Sequence, residues 1–423
     1  MALFAATSVA DLDSDERARA ADYLREAEAL CRQDHGSLWG ISLCGPVLLI
    51  NPETRAVFTN GADRENRLMN DDGVYVGKLP DDINVANTAA DWAGVKWTMI
   101  MLPLPQDNHR RAALLGHEMW HRIQERLGLP GSGAANNHLD TRDGRLWLQL
   151  EWRALAAALL AVGEQKEQAV ADAELFRAYR REIFPKAAGE ERAMEMSEGI
   201  AEYTGVKLSG SPDLARFVVD RNLKEAPSKQ TFVRSFAYPT GPAYGLLLDQ
   251  SGSADWRKKL HRTDELSALL LEARRIALPA ELKKFAEQRA QQYDGAQLAL
   301  AEDARERKRL EVEKDYRARL VDGPVLTIPL QRMNMQFNPG NLVPLGEHGT
   351  VYPNIRIVDV WGVLAVTENG ALMSADFTRV TVPALKQDHQ PLPEGDGWKL
   401  QLADGWSIGT GQRPGDYAVR RDD

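Results

Sequence analysis

The chain reads as an α+β protein: a mixed sheet with packed helices, a helical extension, and a C-terminal all-β domain. Three observations predict this. Apolar runs at 46–58 and 95–103 are strand-like and bounded by Pro and Asn. From about 107 to 322, apolar residues recur mostly at helical spacing within charged sequence. After Asp322-Gly323-Pro324 the composition shifts to short β-prone runs separated by turn residues. The 423 residues allow two or three domains with ample core. We divide them into an N-terminal helical segment (1–45), an α+β domain (46–250), a helical region (251–322), and a small β-sandwich or barrel (323–423).

The first ten residues lack the basic start of a signal peptide and are too short for one, yet Ser8-Val9-Ala10 looks like a small-x-small cleavage site. Cys31 and Cys44 are 13 apart and can form one disulfide in an oxidising compartment, or stay as two buried thiols. Both hints favour an exported protein. Asp13 with Glu16 makes a capping-box-like start for a helix running to about Arg32. A hairpin follows: Pro46 to Ile50, a turn at Asn51-Pro52-Glu53-Thr54, then Arg55 to Phe58. Val95 to Pro103 suits a strand near a sheet edge, ended by Pro103 and Pro105.

Asp107 or Asn108 can then cap a helix whose apolar face is Ala113, Gly116, Trp120, Ile123 and Leu127, stopped by Gly128 and Pro130-Gly131. Asn136 to Asp140 is a polar loop, and Gly144 to Ala161 an apolar helix containing Glu151. Phe236 to Gly245 places Tyr238 and Tyr244 on either side of a Pro/Gly turn, leading into Leu246 to Leu248. Residues 212–322 are mostly helical, with a break at Asp294-Gly295 and charges that cover a solvated surface. In the β region, Glu368-Asn369-Gly370 and Asp404-Gly405 are hairpin signals. Trp361, Trp398 and Trp406 serve either as core or as exposed rings for a polymer or peptide.

The formal charge of −9 argues against nucleic acid or an anionic membrane as the main partner. No uninterrupted apolar run approaches the length of a membrane span.

The chemistry concentrates in His117-Glu118-Met119-Trp120-His121. Histidines four apart share one face of a helix and can chelate one Zn2+, with Glu118 placed to take a proton from water. Composition alone would produce this pattern about once in a hundred such chains; the plain alternative is a surface helix whose histidines pair with carboxylates. Zinc in a hydrolase commonly has three protein ligands. The best third candidate is Glu198, one turn before Glu202, which would accept the free ring N–H of a ligand histidine. Glu190, Glu191 and Glu195 nearby leave a solvated acidic helix as the alternative. Glu151 is a substitute ligand, or pairs with Arg153, Arg145 or an arginine of another helix. His138 and Asp140 line a cleft, or form a capping loop.

The His-Glu-x-x-His helix followed by Glu-Gly-Ile-Ala-Glu-Tyr (198–203) resembles the gluzincin group of zinc metallopeptidases, in the bacterial peptidase-MA-like branch. The likeness covers two short helices and the strand before the first, within about 90–210. It implies a zincin-like catalytic domain over 46–250, with an insertion at about 130–190 between its two motif helices, His117, His121 and Glu198 as zinc ligands, Glu118 as general base, and Glu202 as the acid beside a ligand histidine. It also implies that the strand next to the zinc helix pairs with an extended substrate backbone, a role weighed against that of a plain core strand. Tyr238 or Tyr244 would stabilise the oxyanion, core packing being the alternative for either. The expected activity is zinc-dependent hydrolysis of a peptide or protein substrate. The alternatives are a zinc amidohydrolase acting on a non-peptide amide, and an inactive metallopeptidase-like scaffold that binds a partner. The intact Glu118 argues against the scaffold.

Overall fold

The computed structural model describes residues 14–129, 131, 136–252, 255–338, 340–385 and 393–422. Ser8-Val9-Ala10, the Asp13 cap and Pro130 lie outside the described residues.

Six strands form the first sheet: β1 (Val47–Ile50), β2 (Ala56–Thr59), β3 (Met69–Asp71), β4 (Val74–Lys78), β5 (Thr88–Trp92) and β6 (Val95–Met101), in the order β3-β4-β2-β1-β6-β5. Only β1 and β6 run parallel, so the sheet is mixed. The β1–β2 hairpin forms as expected, with Leu48 opposite Thr59. The run 95–101 lies one strand in from an edge, near it as the sequence suggested, and with β1 and β5 on either side it is a core strand. Ala93 and Gly94 both take positive φ (48° and 74°), a tight turn that folds β5 onto the outer side of β6 and makes β5 the edge strand.

Helices then take over: α1 (Ser14–Asp34) ahead of the sheet, and α2 (Asn108–Ile123), α3 (Arg142–Leu160), α4 (Gly163–Ile183), α5 (Ala187–Met194), α6 (Ile200–Leu208), α7 (Leu214–Val218), α8 (Ala237–Asp249), α9 (Leu266–Arg274), α10 (Leu282–Ala290) and α11 (Gly295–Arg317) after it. Ala20 and Leu24 of α1, Leu115 and Trp120 of α2, Leu266 of α9, Ala286 of α10 and Leu298 of α11 belong to one apolar core. The N-terminal helix and the helices after 251 therefore share a core with the central helices. Cys31 and Cys44 are bonded, tying the end of α1 to the chain entering β1.

Residues 237–245 are helical rather than the expected turn. Pro239 sits in the first turn of α8, where its missing N–H costs nothing. Pro242 lies further in and deprives the Tyr238 carbonyl of its helical donor. Asn222 Nδ2 replaces that donor at 3.1 Å.

The C-terminal region is all-β. A seven-stranded and a five-stranded sheet share one core of Leu326, Ile357, Trp361, Leu364, Val380 and Trp398. Trp361 and Trp398 are core residues, their indoles donating to the Pro329 and Pro383 carbonyls at 2.7 and 2.9 Å, while Trp406 is half-buried. Neither hairpin signal makes a hairpin. Asn369-Gly370 and Asp404-Gly405 do carry positive φ at Asn369, Gly370 and Gly405. Each turn, however, leads from a strand of the five-stranded sheet into the seven-stranded one. The β region is tied to the first sheet's loops through Arg356 Nη1, 2.6 Å from Asn84 Oδ1.

Candidate metal centre

Of the two possible caps for α2, Asp107 serves: its side chain accepts from the Arg110 N–H at 2.8 Å. The helix buries Ala113, Gly116, Trp120 and Ile123, and Gly128 closes it at φ 71°. His117 and Glu118 are both buried at 4 % exposure, so this helix is not a surface helix. Gly116 explains the close packing here. A Cβ on Gly116 would lie 3.1 Å from the Gly205 Cα, and one on Gly205 would lie 2.2 Å from the Ala113 carbonyl oxygen. The α2 and α6 backbones touch, and this contact sets His117 against Glu202.

Glu198 and Glu202 reach the same imidazole from opposite sides. His117 Nδ1 lies 2.9 Å from Glu202 Oε2, and its Nε2 lies 3.6 Å from Glu198 Oε2. His121 Nε2 is also 3.6 Å from Glu198 Oε2 and 3.1 Å from His117 Nε2, while its Nδ1 meets Gln124 Oε1 at 2.8 Å. Each histidine is thus oriented through Nδ1, leaving both Nε2 atoms facing Glu198. Glu202 is held in turn: Arg221 and Asn222 Nδ2 both donate to its Oε1, the latter at 2.9 Å.

The tyrosine that joins this group is Tyr238. Its ring stacks on His117 at 5.4 Å between centroids, with 7° between planes, and its hydroxyl donates to Glu198 Oε2 at 2.7 Å.

The field of the pocket is strongly negative. Burial alone would lower the His117 pKa, yet its bonds to Glu198 and Glu202 push it up to about 10. Burial opposes ionisation of Glu202, but Arg221 and His117 hold its carboxyl down to about 2. Burial pushes the Glu118 carboxyl up, with Glu198 and Glu202 adding to the effect.

These residues fit a divalent metal on three grounds. Among the described residues, His117, His121 and Glu198 form the one group of three or more His, Cys, Asp or Glu whose ligand atoms all lie within 4.8 Å of one another. Two imidazoles and one carboxylate are a donor set suited to zinc. Glu118, 4.0 Å from His117 Nε2, keeps a buried Oε2 with no hydrogen-bond partner among the described residues.

The remaining sequence candidates lie elsewhere. Glu151 accepts from Arg177 Nε at 2.8 Å, Arg180 Nη1 at 2.6 Å and the Tyr244 hydroxyl at 3.0 Å. Both of its oxygens are taken, so it is a structural partner of arginines on another helix and Tyr244 is a core tyrosine. His138 Nε2 meets Glu191 Oε1 at 3.0 Å, and Asp140 accepts from the Phe232 N–H at 2.9 Å. Neither joins the histidine pair. Gln124, Arg221 and Asn222 were missed by sequence reasoning. Gln124 carried a signal, standing three residues after His121 on the same helical course; Arg221 and Asn222 arrive only through packing.

No protein-family model, curated protein or solved structure matches this chain. Among the described residues, no helix is long and apolar enough to cross a membrane.

Proposed function

We propose that the chain is a zinc-dependent peptidase with a zincin-like catalytic domain. The observation that carries this reading is the convergence of His117 Nε2, His121 Nε2 and Glu198 Oε2 beside a buried carboxylate, one oxygen of which has no hydrogen-bond partner among the described residues. His117, His121 and Glu198 would hold the zinc. When bound, zinc supplies Lewis acidity, polarising a carbonyl and making water a stronger acid.

The chain's own groups supply the rest. Glu118 accepts the proton of the attacking water at its Oε2 and later delivers it to the leaving amine. Burial favours this, because a carboxyl raised above its usual range holds a proton better near neutral pH. Glu202 and Gln124 keep the Nδ1 atoms engaged, so that Nε2 is the free nitrogen of each ligand. Tyr238 is placed to turn its hydroxyl from Glu198 toward the developing oxyanion. As an edge strand of its sheet, β5 is where an extended peptide can add as a further strand.

The test is cleavage of a peptide library by wild type and Glu118→Gln, with and without a chelator. Chelator-sensitive cleavage in wild type only is the expected result, with a loss of about a hundred-fold or more in the variant. Full activity in Glu118→Gln would remove Glu118 from the chemistry. Cleavage of non-peptide amides alone would move the reading to an amidohydrolase.

A further inference from the structure

Glu198 does not sit on an ordinary helix. Residues Glu195–Gly199 form a π turn between α5 and α6, closed by the Ile200 N–H bonding the Glu195 carbonyl five residues back. In an α-helix, residues three apart share a face, so Glu195 and Glu198 would point the same way. In the widened turn they part: Glu198 faces the histidines, and Glu195 faces a separate buried network.

That network fixes the turn from behind. Arg177 of α4 grips Glu195 with both terminal nitrogens, Nη1 to Oε2 at 3.0 Å and Nη2 to Oε1 at 2.5 Å. Its Nε bonds Glu151 on α3, and its guanidinium lies 4.4 Å from the centroid of the Tyr244 ring on α8. Arg177 and Glu195 are at most 1 % exposed. A bidentate fork anchored on three other elements is stiff in distance and angle, and a single ammonium cannot reproduce it. On the same turn, Gly199 packs against Gly241 of α8 so closely that a Cβ on Gly241 would lie 2.2 Å from the Gly199 Cα. The turn is held by two separate contacts, one from α4 and one from α8. π turns are rare and tend to mark functional sites, and this one carries the proposed third ligand.

We propose that Arg177 is a positioning residue for the metal site: its fork on Glu195 holds the widened turn that aims Glu198 at His117 and His121. This rests on the zinc reading above, and it assigns the buried Arg177–Glu195 pair a role in the geometry of the site beyond stability. Arg180 offers an internal control. It belongs to the same network and is equally buried, but it forks onto Glu191, outside the turn.

The experiment compares the zinc dissociation constants of wild type, Arg177→Lys, Glu195→Gln and Arg180→Lys. Each is measured by competition with a chromophoric chelator, at a temperature where thermal melts show every variant folded. Arg177→Lys and Glu195→Gln should bind zinc about ten-fold or more weakly, the usual effect of losing a group that orients a ligand. Arg180→Lys should match wild type. Equal weakening in Arg177→Lys and Arg180→Lys would show a general loss of stability and overturn the positioning role, as would unchanged affinity in Arg177→Lys. If Arg177→Lys does not fold, Glu195→Gln, which changes no volume, carries the same comparison with Arg180→Lys. A wild type that binds no zinc defeats the zinc reading itself. Zinc on wild type with unaltered affinity in the variants defeats only the role of Arg177.

Discussion

Pro242 and Tyr238 stand four apart on α8, and the proline leaves the Tyr238 carbonyl without its helical donor. The Asn222 side chain takes over at 3.1 Å and bonds Glu202 Oε1 at 2.9 Å with the same nitrogen. The irregularity of one helix is thus wired to the carboxylate that orients His117. Asn222→Ala should cost about 1–3 kcal/mol, the usual penalty for stranding buried polar groups. In a Pro242→Ala background, where the helix regains its own N–H, the same change should cost less. Urea unfolding of the four proteins gives the coupling; strictly additive costs would deny the link.

Glu202→Gln should leave the fold intact and weaken zinc binding about 10–100-fold, since Glu202 Oε2 fixes which nitrogen of His117 is free. Chelator competition measures it. Unaltered affinity would make Glu202 a partner of Arg221 only.

Tyr238→Phe keeps the ring stacked on His117 and removes only the hydroxyl. Zinc content should be unchanged while kcat falls about 10²–10³-fold, the range for losing one oxyanion donor. Steady-state kinetics on a cleaved peptide decide this, and an unchanged kcat would leave Tyr238 as packing.

Away from the site, Glu174 governs a pH effect. Burial in the α4 helix raises its pKa to about 8, with neighbouring Arg177 and the Ser267 hydroxyl only partly opposing the shift. The folded chain therefore keeps a proton on Glu174 that the unfolded chain releases near the ordinary value of 4.5. Stability from this group is complete below about pH 4.5, falls as pH rises from there, and is lost by about pH 8. Glu174→Gln, neutral throughout, should flatten that slope. Urea midpoints at several pH values check it, and an identical slope in the variant would show that Glu174 is ionised in the folded chain.

What the sequence disclosed was local. His117, Glu118 and His121 were legible because four-residue spacing on a capped helix determines their common face. Glu198 and Glu202 were legible as a pair, although the π turn between α5 and α6 was not: a widened turn depends on what grips it, here Arg177 and Gly241. The position of β5 was hidden because Ala93-Gly94 lacks the Asn-Gly or Asp-Gly signature of its turn. The converse error occurred in the β region, where Asn369-Gly370 has positive φ at both residues and Asp404-Gly405 only at its glycine, yet both join strands of different sheets. Proline and glycine at 239–245 read as a turn because the close approach of Gly241 to Gly199, and the donor lent by Asn222, exist only in the packed protein. Glu151 was rightly expected to need an arginine, but which one depended on the packing of α3 against α4.

The most direct test of the zinc reading is metal content per chain, by elemental mass spectrometry, on wild type and Glu198→Ala purified without added metal. Wild type should carry close to one zinc, and the variant should show a clear loss. Wild-type protein that carries no zinc, even after zinc is added back, would contradict it.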